Sequence, residues 1–172
     1  MRLIGLSGWS GSGKTTLLAA LIPTLIARGR TVSTIKHAHH AFDVDKPGKD
    51  SWEHRAAGAQ GVLVSSANRW ALMHEHRGAP EADLETLIGH MSPVDLVLVE
   101  GFKTHQHAKL EIHRPSLGKP LLCRDDPRVV ALASDAPVAG LAIPRLALDD
   151  IAAIADFILA HAGLETRAQG VA

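Results

Sequence analysis

The hydrophobic positions of this chain fall into short solid blocks and helically spaced runs, and the two alternate along its length. Residues 3–7, Leu-Ile-Gly-Leu-Ser, form a block that predicts a short buried strand, followed by a loop rich in Gly and Ser. Residues 15–28 read as a helix with Pro23 inside it. A proline there removes one helical hydrogen bond, so a kink or a reset second half is expected, with Gly29 as the C-cap. A second strand, 31–35, opens into the polar stretch 36–50, and 51–57 reads as a short helix. The blocks 61–65 and 70–74, with Asn68 near the turn, predict a β-hairpin. Residues 81–90 read as a helix, with Pro80 where a first-turn proline is tolerated. Residues 94–99 are nearly all apolar, as a strand buried on both faces of a parallel sheet should be, and 129–133 repeat that pattern. Asp149 or Asp150 caps a last helix whose Ile151, Ile154, Ala155, Ile158 and Leu159 keep helical spacing, and Gly163 ends it. The alternation predicts an α/β architecture: a mostly parallel twisted sheet flanked by helices, with an added β-hairpin. Neither a repeat nor a linker interrupts it, so one domain is expected over 1–163, with 164–172 a flexible tail.

Composition narrows this without redirecting it. The 172 residues are 46% hydrophobic, with only three Trp and three Phe, so Leu, Ile, Val and Ala must fill the core. Eighteen Lys+Arg balance eighteen Asp+Glu, which gives no electrostatic case for nucleic acid or an anionic membrane. The single cysteine, Cys123, rules out an internal disulfide and fits a reducing compartment. No signal-peptide pattern is visible, and the longest apolar run, 17–27, is broken by Pro23 and Thr24. A cytoplasmic location is expected.

The chemistry starts in the loop after the first strand. Gly8-Trp9-Ser10-Gly11-Ser12-Gly13-Lys14-Thr15 has the full spacing G-x₄-G-K-[ST] of a phosphate-cradling loop. Its glycines let successive N–H groups turn toward one anion, and the following helix presents its positive end to the same phosphates. Lys14 is placed for the β- and γ-phosphates, and the Thr15 hydroxyl for Mg²⁺. A purine nucleoside triphosphate with Mg²⁺ is the predicted ligand, contacted by Ser10, Gly11, Ser12, Gly13, Lys14, Thr15 and Thr16.

Three further segments bear on that ligand. The apolar strand 94–99 ends in Glu100-Gly101, and an acid there holds Mg²⁺ through water or orients an attacking water. Asp95 lies at the wrong end of the strand for this. Lys14 and Glu100 are therefore the candidate catalytic residues, with Gly101 beside the nucleotide. The polar stretch 36–50 leaves the same predicted sheet edge, where α/β sheets place ligands. Its Asp43, Asp45 or Asp50 could reach the metal, and Lys36 or Lys49 a phosphate. Its His37, His39 and His40 could instead hold a transition metal, or the stretch could be an ordinary solvated loop. Asp135, just past strand 129–133, could accept the N1 and N2 hydrogens of guanine, which adenine does not offer. It is equally readable as the start of a turn before Pro137.

Taken together, these stretches resemble the MobB family of molybdopterin-guanine dinucleotide biosynthesis adaptors, over nearly the full length. The resemblance rests on residues 9–18 (WSGSGKTTLL), on Ile35-Lys36-His37 and the loop DVDKPGKDS at 43–51, on RWALM at 69–73, and on LVEGFK at 98–103. It implies the P-loop NTPase fold and a GTP-binding, weakly hydrolysing adaptor that assists attachment of GMP to molybdopterin. It also implies a homodimer, with the pathway's guanylyltransferase and molybdopterin-bearing proteins as partners, and Mg²⁺ held by Thr15, Asp45 and Glu100. The stretch Lys109-Leu110-Glu111-Ile112 takes the place of a family strand, while His113-Arg114 matches too loosely for any role. Two other classes remain open: a small-molecule or nucleotide kinase, which would need arginines such as Arg114, Arg124 or Arg128 to close on the phosphates, and a metal-insertion GTPase using the histidine loop.

Overall fold

The structure, a computed structural model, describes residues 1–38 and 42–164. His39, His40 and Ala41, two of them in the proposed histidine site, lie outside the described residues, as does the expected tail from Glu165 onward. The chain forms two compact units, one of Met1–His37 with Ser92–Ala172, the other Ala38–Met91.

The first unit is built on six strands: β1 (Arg2–Ser7), β2 (Val32–Lys36), β5 (Leu96–Glu100), β6 (Lys109–His113), β7 (Val129–Ser134) and β8 (Arg145–Ala147). Their order in the sheet is β2-β5-β1-β6-β7-β8, and every pairing is parallel. Helices α1 (Lys14–Ala27) and α4 (Ile151–His161) pack side by side, and the buried Leu17, Leu21, Leu25, Ile154 and Ile158 share one cluster with Ile4, Leu6, Leu98 and Ile112. The branched side chains on alternate strand positions thus meet a helix stripe, which supplies most of the unit's hydrophobic burial. Because all strands run one way, their C-terminal ends bring Ser7, Lys36, Glu100, His113 and Ser134 to one edge.

The second unit holds α2 (Asp50–Ala56), the antiparallel hairpin of β3 (Gly61–Ser65) and β4 (Trp70–His74), and α3 (Leu84–Gly89). Arg55 of α2 is its electrostatic hub. Its guanidinium meets Asp43 at 2.7 Å, Glu75 at 2.9 Å and Asp45 at 3.3 Å. The hydrogen bond from Arg55 is the main cause that holds the Asp43 carboxyl below the usual range.

Several elements depart from the sequence pattern for local reasons. Helix α1 runs through Pro23 without a reset, its Leu17, Leu18, Leu21 and Leu25 buried in the core on both sides of the proline. Gly29 follows at φ 73° as the left-handed terminator, while Arg30 N–H donates to Leu25 O across the helix end. Helix α3 starts three residues later than the pattern predicts. Asp83 caps it by accepting from Thr86 N–H at 2.8 Å, which leaves Pro80 outside the first turn. Strand β5 begins after Asp95, whose carboxylate is held by the N–H and hydroxyl of Thr31 at 2.9 Å each. Three-residue β8 has too short an apolar signal for periodicity to detect.

The second face of the sheet carries buried polar groups. Lys109 and Glu111 are 1% and 0% exposed. Lys109 Nζ bonds Asp126 at 2.9 Å and the Lys103 carbonyl at 2.6 Å, and Glu111 accepts from the N–H groups of Leu122 and Cys123 at 2.8 Å each. Burial pushes the Cys123 thiol up to about 11, with Glu111 adding to it, which removes it as a nucleophile at neutral pH. His107 is buried against Gly5, at which a Cβ would collide with the imidazole and with Lys109. Burial, then the charges of Lys109, His105 and Arg128, lower His107 to about 4, against an opposing pull from Asp126. Its unfolded value near 6.5 is higher, so between those values the unfolded chain binds more protons and acid favours unfolding. Unfolding free energy is expected to fall by on the order of 2 kcal/mol between about pH 6.5 and 4 through this group. Urea titrations across that window check it, because His107→Gln should flatten the slope and an unflattened slope would exonerate the histidine. Burial works against ionisation of Asp126, but hydrogen bonds from Arg128 and Lys109 outweigh it and take it down to about 2. Its contribution is therefore lost only as pH falls below about 3.8.

Candidate nucleotide-binding site

The loop after β1 is shaped by its glycines. Gly8 has φ 148°, and a Cβ there would lie 2.5 Å from the Ile112 carbonyl oxygen and 2.7 Å from Ser12 Oγ. Gly11 and Gly13 sit at φ 82° and 98°, in the left-handed region that favours glycine, and between them Ser12 N–H closes a turn on the Trp9 carbonyl at 3.1 Å. Gly13 is the N-cap of α1 and has no side chain to bond the first-turn amides, so that positive helix end suits an external anion. Lys14 Nζ donates to the carbonyls of Gly8 at 2.9 Å and Trp9 at 3.0 Å, which lays the ammonium across the loop. Burial lowers the Lys14 pKa, Glu100 opposes this, and Lys103 and Lys36 add to it. Three cations and one carboxylate therefore share the neighbourhood of this loop, a balance suited to polyphosphate.

A strap of chain, residues 114–121, lies along the same loop. Trp9 Nε1 donates to the Pro120 carbonyl at 2.8 Å, and Lys119 Nζ stands 5.7 Å above the Trp9 ring. Arg114 Nε donates to the Ser12 carbonyl at 3.1 Å. These contacts fix the outer side of the loop, so less conformational freedom is left to lose on binding.

Glu100 ends β5 beside β1 and opposite Lys36 in the β2 register. His37 N–H donates to the Glu100 carbonyl at 2.8 Å. Gly101, at φ 100°, lets the chain pass His37, whose Cβ would be 2.5 Å from an added Cβ. Phe102 follows in the left-handed region at φ 47°, its ring 4.9 Å from that of His37. Lys14, Thr15, Lys36, Glu100 and Gly101 thus belong to one sheet edge. Asp45 belongs to the other unit, where its carboxylate accepts from Ser51 Oγ at 2.9 Å and pairs with Arg55. Among the described residues no group of three His, Cys, Asp or Glu is placed to hold a metal ion, and His37 packs on Phe102.

A cavity of about 610 Å³ opens at the ends of β7 and β8, lined by Arg114, Ser134, Asp135, Pro137, Leu148 and Asp149 among others. Asp135 forms an ion pair with Arg114 Nη1 in its wall. Of the arginines weighed for a kinase lid, Arg128 is bound to Asp126 and to the carbonyls of Thr104 and His105, and Arg114 is the one that meets the phosphate loop.

Residues 3–135 match the family model described as molybdopterin guanine dinucleotide synthesis protein B. The chain belongs to the MobB family. It is 48% identical over 160 residues to the molybdopterin-guanine dinucleotide biosynthesis adapter protein of Escherichia coli K12, covering 91% of each chain. It is 47% identical over 158 residues to the Haemophilus influenzae protein of the same name, covering 91% of this chain and 86% of that one. Its fold matches a crystal structure of molybdopterin-guanine biosynthesis protein B with a TM-score of 0.72, at 26% identity over 94% of this chain and 99% of that one. Bacillus subtilis MobB superposes with a TM-score of 0.73 at 23% identity, over 97% of this chain and 100% of that one. This is the P-loop NTPase fold of the MobB structures, with a six-stranded sheet flanked by helices and a separate antiparallel hairpin.

In this MobB family member the sequence pattern offers Arg114 only as one of three arginines for a kinase lid, whereas the structure bonds it to the phosphate loop and to Asp135. A signal is present, because an arginine directly after a central strand leaves the edge that carries the phosphate loop. The looseness of His113-Arg114 as a family motif hides it. No helix among the described residues is long and apolar enough to cross a membrane.

Proposed function

We propose that this chain is a GTP-binding adaptor, at most a slow GTPase, in the biosynthesis of molybdopterin guanine dinucleotide. The observation that carries this is the complete phosphate loop sharing its sheet edge with Glu100 and adjoining a cavity walled by Asp135. The biosynthetic step is taken from the adapter relatives, which are matched over nearly their full length. In this reading the loop amides, Lys14 and Lys36 hold the phosphates, and Asp135 accepts from the Watson–Crick edge of guanine. The hard oxygens of Thr15 and Glu100 suit Mg²⁺. A bound Mg²⁺ would neutralise phosphate charge, while Glu100 would orient water. Arg114 is engaged by Asp135 and Arg128 by Asp126, and arginines held in this way fit slow turnover without a partner.

The partners in this reading are the pathway's guanylyltransferase and molybdopterin-bearing proteins, met in the cytoplasm. A second copy of the chain is also proposed, on the hairpin. Leu63, Trp70 and Leu72 lie on one face of β3–β4 and are 60%, 57% and 47% exposed. A lone two-stranded hairpin with such a face is stabilised by docking. Sedimentation of the Leu63→Asp chain should give a lighter species than the native one, and equal masses would refute this interface. The nucleotide reading is tested by calorimetric titration with magnesium GTP and magnesium ATP. GTP is expected to bind at least about tenfold more tightly, since a paired acceptor rejects the base that cannot donate to it. Equal affinity would remove guanine recognition and leave a general triphosphate site.

A further inference from the structure

Arg114 touches both ends of the proposed ligand site. Buried His113 ends β6, and Arg114 continues extended (φ −124°, ψ 108°) past the sheet edge. From there Nε bonds the Ser12 carbonyl of the phosphate loop, Nη1 pairs with Asp135, and Nη2 lies 3.4 Å from where a Cβ on Gly13 would be. The same side chain and Asp135 line the 610 Å³ cavity. A guanidinium is a rigid planar fork, so two of its bonds fix the direction of anything they hold.

We propose that Arg114 is the specificity-positioning residue of this site, setting the Asp135 carboxylate for guanine and tying that setting to the phosphate loop. The proposal rests on the reading of Asp135 as the guanine acceptor. Guanine N1–H and N2–H need both carboxylate oxygens facing them in one plane. Arg114 uses one acceptor direction of Oδ2, and each carboxylate oxygen has two, so enough remain for the base. Without the fork, the partly exposed Asp135 is free to rotate and the paired geometry is lost. A lysine carries the charge but has one nitrogen, which cannot hold Ser12 O and Asp135 in a fixed mutual direction.

The experiment compares native chain, Arg114→Ala and Arg114→Lys, each with magnesium GTP, magnesium ITP and inorganic tripolyphosphate. ITP lacks the 2-amino group, so the GTP-to-ITP affinity ratio reads the second hydrogen bond to Asp135. The native ratio is expected to be about tenfold. Arg114→Ala should bring that ratio close to one while weakening tripolyphosphate only a few-fold. Arg114→Lys should restore tripolyphosphate binding and leave the ratio low. A native-like ratio in Arg114→Ala overturns the proposal and leaves guanine recognition intact. An equal loss for all three ligands overturns it too, because Arg114 would then serve only the phosphates. A native ratio of one overturns the Asp135 reading itself, and is distinguishable because it shows before any substitution is made. Thermal melting establishes folding, and if the alanine chain is unfolded the lysine chain's ratio decides, a native value being the overturning result.

Discussion

Replacing Lys14 with alanine is expected to lower the affinity for a magnesium nucleoside triphosphate by about 100-fold or more, with the fold intact. The magnitude follows from what is removed. A charged hydrogen-bond donor aimed at phosphate oxygens is lost from a partly water-excluded loop, where such contacts are worth about 3 kcal/mol. The loop itself should survive, because its path is set elsewhere. Gly8, Gly11 and Gly13 set its left-handed turns, and Trp9 and Arg114 bond it to the strap. The ammonium's two bonds to the Gly8 and Trp9 carbonyls cross the mouth of the loop and hold no distant segment. Burial already disfavours the charged amine while Glu100 favours it, so Lys14 is poised where an incoming polyanion meets an under-solvated cation. Calorimetry with GTP, paired with a melting curve, checks both halves. Unchanged affinity in a folded Lys14→Ala chain would mean that this loop is not the phosphate site.

The fold is readable from sequence where one signal dominates. The hairpin is legible at residues 61–65 and 70–74 because its strands are bounded by a polar turn, and those are the bounds of β3 and β4. The all-apolar Leu96 to Val99 run places β5, although the strand starts later than the pattern because Asp95 is taken by Thr31. The burial of strand β6 is not legible from periodicity. Lys109-Leu110-Glu111-Ile112-His113 alternates as a strand with one wet face would, yet all five residues are buried. The polar side is covered by the turn that donates Leu122 and Cys123 N–H to Glu111, and by Asp126 reaching Lys109. No local pattern announces such tertiary pairing. The phosphate-loop spacing brings Lys14 and Thr15, and the acid that ends the apolar β5 run brings Glu100, to one sheet edge, because both patterns encode backbone geometry. The contacts of Arg114 are not legible in those patterns, because they are made to Ser12 and Asp135, which lie 102 and 21 residues away.

The cavity end of the site yields the other large expected effect. Asp135→Asn should reduce GTP affinity by about 100-fold and raise that for xanthosine triphosphate until the preference reverses. A carboxylate offers two acceptors to guanine, which donates from both N1 and N2. Asparagine offers one acceptor and one donor. The new donor then faces the guanine amino group, two donors opposed without a shared acceptor, and each loses its partner. Xanthine keeps the N1 donor but carries a carbonyl at C2, so both bonds re-form with the amide. Arg114 can still donate Nη1 to the amide oxygen, which spares the phosphate-loop connection and confines the change to the base. Competition titrations with GTP and xanthosine triphosphate read the reversal directly. If the Asp135→Asn chain kept the native preference for GTP, the carboxylate would be only the counterion of Arg114, and the base would be read elsewhere in the chain or by a partner.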